Sequence, residues 1–160
     1  VAAVIMKANM AIGIKDIMAV QTDTGPFVGS ISGILLFVAC VFCIQAKLGL
    51  VPFDMAEAET EINHGSFIEY SGPAYSLIRL TKYIMLFILP VFMCTVLLGG
   101  VRIEGIQLIW TILKILGVLL LIILIRNTNP RVRIDQAMRF FFVWMNLLVI
   151  AAIILSHFNL

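Results

Sequence analysis

Charge is scarce in this sequence. Asp, Glu, Lys and Arg make up 12% of the 160 residues, where an average soluble domain carries about 25%. Hydrophobic residues reach 62%, with a mean hydropathy of +1.10. So much apolar surface cannot be hidden in one water-soluble core of this length, which makes lipid the expected solvent. The net charge is only +2, too small for the basic surface that nucleic acid requires. Histidine occurs twice and cysteine three times, and no group of them has the spacing of metal ligands. No metal or other cofactor is therefore expected in this chain. Cys40 and Cys43 form a CxxC, but inside the apolar run "ILLFVACVFCIQ", where packing explains them. Cys94 lies in another such run. The opening "VAAVIMKANM" has Lys7 within it and no cleavage pattern of a secretory signal. An initiator Met is also missing, so a processed or partial chain is expected.

What the sequence does have is long apolar segments. About 20 apolar residues are needed to cross a bilayer as a helix. Four segments meet that length, at about 27–46, 83–100, 106–126 and 138–157, and a shorter one, 1–14, reads as the last part of a further helix. The expected fold is all-α: a single polytopic transmembrane domain over 1–160 with no soluble domain. The connections are 15–26, rich in turn formers and ending in Gly-Pro; the tight turn 101–105; 127–137, polar and basic around Pro130; and a long acidic loop, 47–81. Lys47, Arg79, Lys82, Arg126, Arg131, Arg133 and Arg139 fall on one side of this arrangement, and Lys15 and Arg102 on the other. The excess places the acidic and basic loops in the cytoplasm and the C-terminus outside. Gly25, Gly29 and Gly33 recur every four residues, as in stripes where helix backbones approach. Trp110 and Trp144 suit interfacial positions, and Pro90 predicts a kink.

The acidic loop is the informative part. "VPFDMAEAETEINHGSFIEYSG" holds Asp54, Glu57, Glu59, Glu61 and Glu69 without a Lys or Arg. Pro52 and the acids after it predict a short helix, because Pro fits a first turn and carboxylates suit its positive end. At helical spacing Asp54, Glu57 and Glu61 share a face. Like charges one turn apart repel, and apolar neighbours such as Phe53, Met55, Ile62 and Phe67 draw the face out of water. Both effects favour protonation, which suits a group that takes up and passes on protons. Lys114 lies within the fourth long segment, where an ammonium costs a few kcal/mol, and is read as a functional residue.

Two stretches carry a resemblance. "PFDMAEAETEINHGSFIEYSG" resembles the signature loop of the subunit-1 family of respiratory complex I, a family that includes the membrane subunit of energy-converting nickel–iron hydrogenases. "RNTNPRVRIDQAM", residues 126–138, resembles the charged segment before that family's last helix, and Lys114 matches a lysine of the family. The resemblance covers the whole chain and implies the C-terminal half of the family's fold, with the earlier helices outside this sequence. It also implies a chain of carboxylates from the membrane–cytoplasm junction into the membrane, here Asp54, Glu57, Glu59, Glu61 and Glu69, with Arg126, Arg131, Arg133 and Asp135 as the facing charged loop that supplies ion pairs. Quinone-reducing members usually carry a Glu where Lys47 stands, an Arg where Leu50 stands, and Glu-Tyr where Lys82-Tyr83 stands. Those departures lead to the expectation of a membrane anchor and proton-coupling subunit of a ferredoxin-dependent, ion-pumping hydrogenase in the plasma membrane. Its partners would be the hydrogenase large and small subunits and other membrane-arm subunits, which would hold the iron–sulfur clusters and the nickel–iron centre. The alternatives are the quinone-chamber subunit of a complex I-like dehydrogenase and a purely structural anchor.

Overall fold

The computed structural model describes residues 13–54, 69–101 and 105–158. Every regular element among them is helical: α1 (Ile14–Thr24), a 3-10 turn (Phe27–Gly29), α2 (Ile31–Leu48), α3 (Pro73–Leu97), α4 (Ile106–Thr128) and α5 (Ile134–His157). The stretch Phe140–Met145 within α5 is π-helical. The helices α2 to α5 are long and apolar enough to cross a membrane. This is an all-α, multi-pass membrane protein.

Local chemistry sets the ends. Ser30 caps α2, its hydroxyl accepting from the Gly33 N–H at 3.2 Å, which satisfies one of the amides a helix start leaves without a partner. At the other end Gly49 takes the left-handed conformation (φ 62°), and the Leu50 N–H reaches back to the Gln45 carbonyl at 3.1 Å. Pro73 opens α3, where its missing N–H costs nothing.

Three boundaries differ from the sequence reading. Residues 15–24, expected as a turn, are helical. Ile17 and Gln21, one turn apart, are buried while Lys15, Asp16 and Asp23 are exposed. This one-sided pattern disappears in an average over composition. α3 begins at Pro73 rather than near 83, so the end of the acidic loop is helix. Hydropathy marks the lipid-facing part of a helix and not its start. For the same reason α5 begins at Ile134 rather than 138. Of the expected partial span 1–14, residues 1–12 lie outside the described residues.

The glycine stripe is not a helix-packing face. Gly25 ends α1 with φ 89° and Gly29 closes the 3-10 turn. Only Gly33 makes a close approach, and what it meets is the backbone of Phe27. Pro90 is buried within α3, which continues unbroken through it.

α2 is the most enclosed of the four long helices. It packs against α5 and α3, while α3 also packs against α4 and α1. Leu36 and Ile44 of α2, Leu97 of α3, Ile122 of α4 and Ala152 of α5 meet in the core. Gln45 is fully buried there and donates from Nε2 to the Ile122 carbonyl at 2.8 Å, tying α2 to α4. The outward faces of α3, α4 and α5 are broadly apolar, as lipid or neighbouring membrane helices require. α2 and α4 end, and α3 and α5 begin, at the same end of the bundle.

Candidate functional site

At that end the chain leaves α2 through a tight turn, with the Phe53 N–H donating to the Leu50 carbonyl at 2.8 Å. Phe53 is buried. Its ring lies 4.8 Å from Phe141, 5.7 Å from Phe140 and 6.3 Å from Phe42, centroid to centroid. Phe140 and Phe141 are adjacent in sequence, and residues so placed on an α-helix point about 100° apart. Both reach Phe53 from the start of the π segment, whose wider turn changes that spacing. This aromatic cluster fixes where the acidic segment starts.

The second loop is pinned to the same place. The Val132 N–H donates to the Pro52 carbonyl at 3.1 Å. Arg131 places its guanidinium fork on the Asp54 carbonyl, Nε at 3.0 Å and Nη2 at 2.7 Å. Such charge-assisted bonds are about twice as strong as neutral ones. Two loops 77 residues apart in sequence are thus joined at the mouth of the acidic segment. The expected helix beginning at Pro52 does not form through Asp54. Burial of Phe53 and the capture of the Pro52 and Asp54 carbonyls by Val132 and Arg131 hold these residues in an irregular conformation.

The expected site residues are only partly brought together. Asp54 is half-buried at the clamp. Glu57, Glu59 and Glu61 lie outside the described residues. Glu69 is exposed rather than partly buried, because it precedes the Gly72–Pro73 start of α3 on the outer surface. Arg133 occupies the N-cap of α5, its N–H donating to Gln136 Oε1 at 3.4 Å. Asp135 is exposed in the first turn of α5, where a carboxylate is favoured by the helix dipole. Arg126 is in the last turn of α4 and joins Arg79 and Lys82 around a separate cavity of about 180 Å³. Composition gave no sign of that meeting, because the three cations come from two helices.

Lys114 belongs to the opposite end of the bundle. Its Nζ donates to the Leu98 carbonyl at 2.6 Å, just past the end of α3. Gln21 of α1 completes the arrangement, accepting from the Gly99 N–H at 2.6 Å and donating to the Val96 carbonyl at 2.7 Å. The last carbonyls of a helix lack partners of their own, and a cation beside them is favoured by the dipole. Lys114 therefore has a polar anchor and does not sit bare among hydrocarbon. Sequence reading missed Gln21 and Gln45. A glutamine within an apolar stretch is the signal that could have found both. Among the described residues no three His, Cys, Asp or Glu come together as metal ligands.

A family model described as NADH dehydrogenase matches residues 1–157 of this chain. An NADH-quinone oxidoreductase subunit from Brevibacillus brevis is 32% identical over 93% of the chain and 47% of that relative. The corresponding protein from Anoxybacillus flavithermus is 34% identical over 89% of the chain and 43% of its own length. That from Syntrophotalea carbinolica is 37% identical over 66% and 32%, respectively. The chain spans less than half the length of these curated relatives.

Proposed function

We propose that this chain, which belongs to the NADH dehydrogenase family, forms the part of a complex I-like membrane subunit that borders a quinone chamber and couples its redox chemistry to proton movement. The hydrogenase expectation drawn from Lys47, Leu50 and Lys82 gives way here. Three departures weigh less than 32–34% identity to curated quinone oxidoreductase subunits over about nine-tenths of the chain. The observation that carries the coupling role is the Arg131 fork on the Asp54 carbonyl. It ties the acidic segment to the loop before α5, so that a displacement of either loop is felt by the other and by the helices they join. On this reading that end of the bundle faces the cytoplasm, as its excess of Lys and Arg favours. The partners are the other membrane-arm subunits and a cytoplasmic redox arm, which holds the iron–sulfur clusters.

A second reading, the membrane subunit of a ferredoxin-dependent hydrogenase, keeps the support of Lys47 and of Lys82 beside Arg79 and Arg126. Membranes with and without this chain separate the two. Loss of donor-driven quinone reduction on its removal is expected. Loss of hydrogen evolution with quinone reduction intact would establish the second reading instead.

Lys114 is proposed as a member of the proton path. The charge-assisted bond to Leu98 contributes about 1.5–3 kcal/mol, while an ammonium at the centre of a membrane helix costs about 2.5–3.5 kcal/mol. These nearly cancel, so Lys114→Met is expected to assemble with stability changed by no more than about 1 kcal/mol. Ion translocation per electron is expected to fall. Full translocation in the assembled variant would leave Lys114 only the role of fastening the end of α3.

A further inference from the structure

We propose that the cavity framed by the ends of α2 and α4 and the beginning of α3 binds the phosphate headgroup of an anionic phospholipid. This goes beyond the coupling role and does not depend on it. The cavity measures about 180 Å³ and is lined by Arg79, Lys82 and Arg126 together with Leu48, Leu50 and Leu86. Its walls are half basic and half oily, as a charged head on a hydrocarbon tail requires.

The cations are held in place. Arg79 donates from Nε to the Tyr75 hydroxyl at 2.8 Å, and its guanidinium lies over the Tyr75 ring at 5.3 Å. Lys82 brings its ammonium against the turn that ends α2, and a Cβ added to Gly49 would lie 3.9 Å from Nζ. Arg126 comes from the last turn of α4. Three positive groups in so small a space repel one another, and an anion between them relieves the repulsion. A neutral quinone head would not. Basic cavities between transmembrane helices are a known form of headgroup site.

Position favours a lipid over free phosphate. The cavity opens where the helices reach the membrane boundary. Tyr83 on its rim is exposed, as aromatic residues at that depth are. From the rim toward the bundle centre α3 presents Phe87 and Ile88, and α4 presents Leu120 and Leu124, all exposed. Acyl chains can lie along these faces while the phosphate occupies the basic end. Phosphatidylcholine carries its own cation and gains much less from the three cations.

The test uses the whole complex in nanodiscs of phosphatidylcholine containing a small fraction of phosphatidylglycerol, with retained lipid counted by native mass spectrometry. Phosphatidylglycerol is expected to be retained in preference to phosphatidylcholine. Each basic side chain near a membrane surface contributes roughly a fivefold preference for anionic lipid. Lys82→Gln with Arg126→Gln should therefore weaken retention about 25-fold, and Lys15→Gln, at the other end of the bundle, should not change it. Undiminished retention in the double variant, or equal retention of phosphatidylcholine, would overturn the proposal. So would tight binding of inorganic phosphate alone to the complex in detergent, which would mark a free-anion site. If the double variant does not assemble, the charge-keeping pair Lys82→Arg and Arg126→Lys decides: retained phosphatidylglycerol supports the site, and its loss overturns it.

Discussion

Glu57→Gln and Glu61→Gln are each expected to assemble normally and to lower coupled turnover at least about a hundredfold. Glutamine keeps the size and shape of glutamate, so packing and assembly are preserved. It removes the one property the proposal needs, the ability to take and release a proton. A positioned proton-transfer group contributes about 10²–10⁴ in rate, and a hundredfold corresponds to about 2.7 kcal/mol of barrier. In sequence these acids stand four apart among apolar residues, in a segment whose first residues are pinned by Arg131 and Phe53. That combination argues against a freely solvated loop. Donor-driven quinone reduction and ion uptake, measured together in vesicles, give the answer. Wild-type values in both variants would leave the segment as a docking surface for a partner, the structural-anchor alternative.

Gly33→Ala is expected to be the most damaging small substitution in the described residues. A Cβ at this position would land on the Phe27 carbonyl oxygen, far inside van der Waals contact, with Phe27 C and Val28 N close behind. These are backbone atoms and cannot rotate away. The Phe27 carbonyl also accepts from the Ser30 hydroxyl at 2.8 Å and the Ser30 N–H at 3.2 Å, and Phe27 is buried. Relief would require unwinding the turn that starts α2. Ordinary overpacking costs about 1–3 kcal/mol, and a backbone clash at the start of the most enclosed helix belongs at or above the upper end. Gly117→Ala in α4 provides the contrast. Nothing lies within 4 Å of the added carbon, and alanine favours a helix by about 1 kcal/mol. Thermal midpoints of the purified complex should move in opposite directions. A Gly33→Ala midpoint equal to wild type would show that the turn yields easily.

The fold was legible wherever one physical signal dominated. Runs of apolar residues gave α2, α4 and most of α3 and α5, because lipid imposes length and composition together. The helix starts at Pro73 and Ile134 were hidden because their first turns are polar and depend on caps. α1 was hidden because its buried side is little more than Ile17 and Gln21. The site was less legible. Arg131 was picked out as a partner for a carboxylate, and the bonds to Asp54 run to its main-chain oxygen. Sequence spacing locates side chains on an element but says nothing of a carbonyl 77 residues away. The meeting of Arg79, Lys82 and Arg126 depends on helix packing for the same reason. The choice between hydrogenase and quinone reductase went wrong by weighing three positions against the similarity of the chain as a whole.

The π-helical stretch Phe140–Met145 leaves a mark that gene variation can read. Its wide turn accommodates more chain than an α-helix would between the same two ends. Removing one residue there would let α5 relax to ordinary α geometry and turn everything after it by about 100°. Ala152 and Ser156, now buried, would swing toward the outside, and outward side chains such as Ile150 and Ile154 would be driven at the neighbouring helix. Phe140 and Phe141 would no longer share Phe53. An in-frame loss of one codon at this point would therefore be felt at both ends of the helix at once. The same loss in the turn before Ile106 would only shorten a connection.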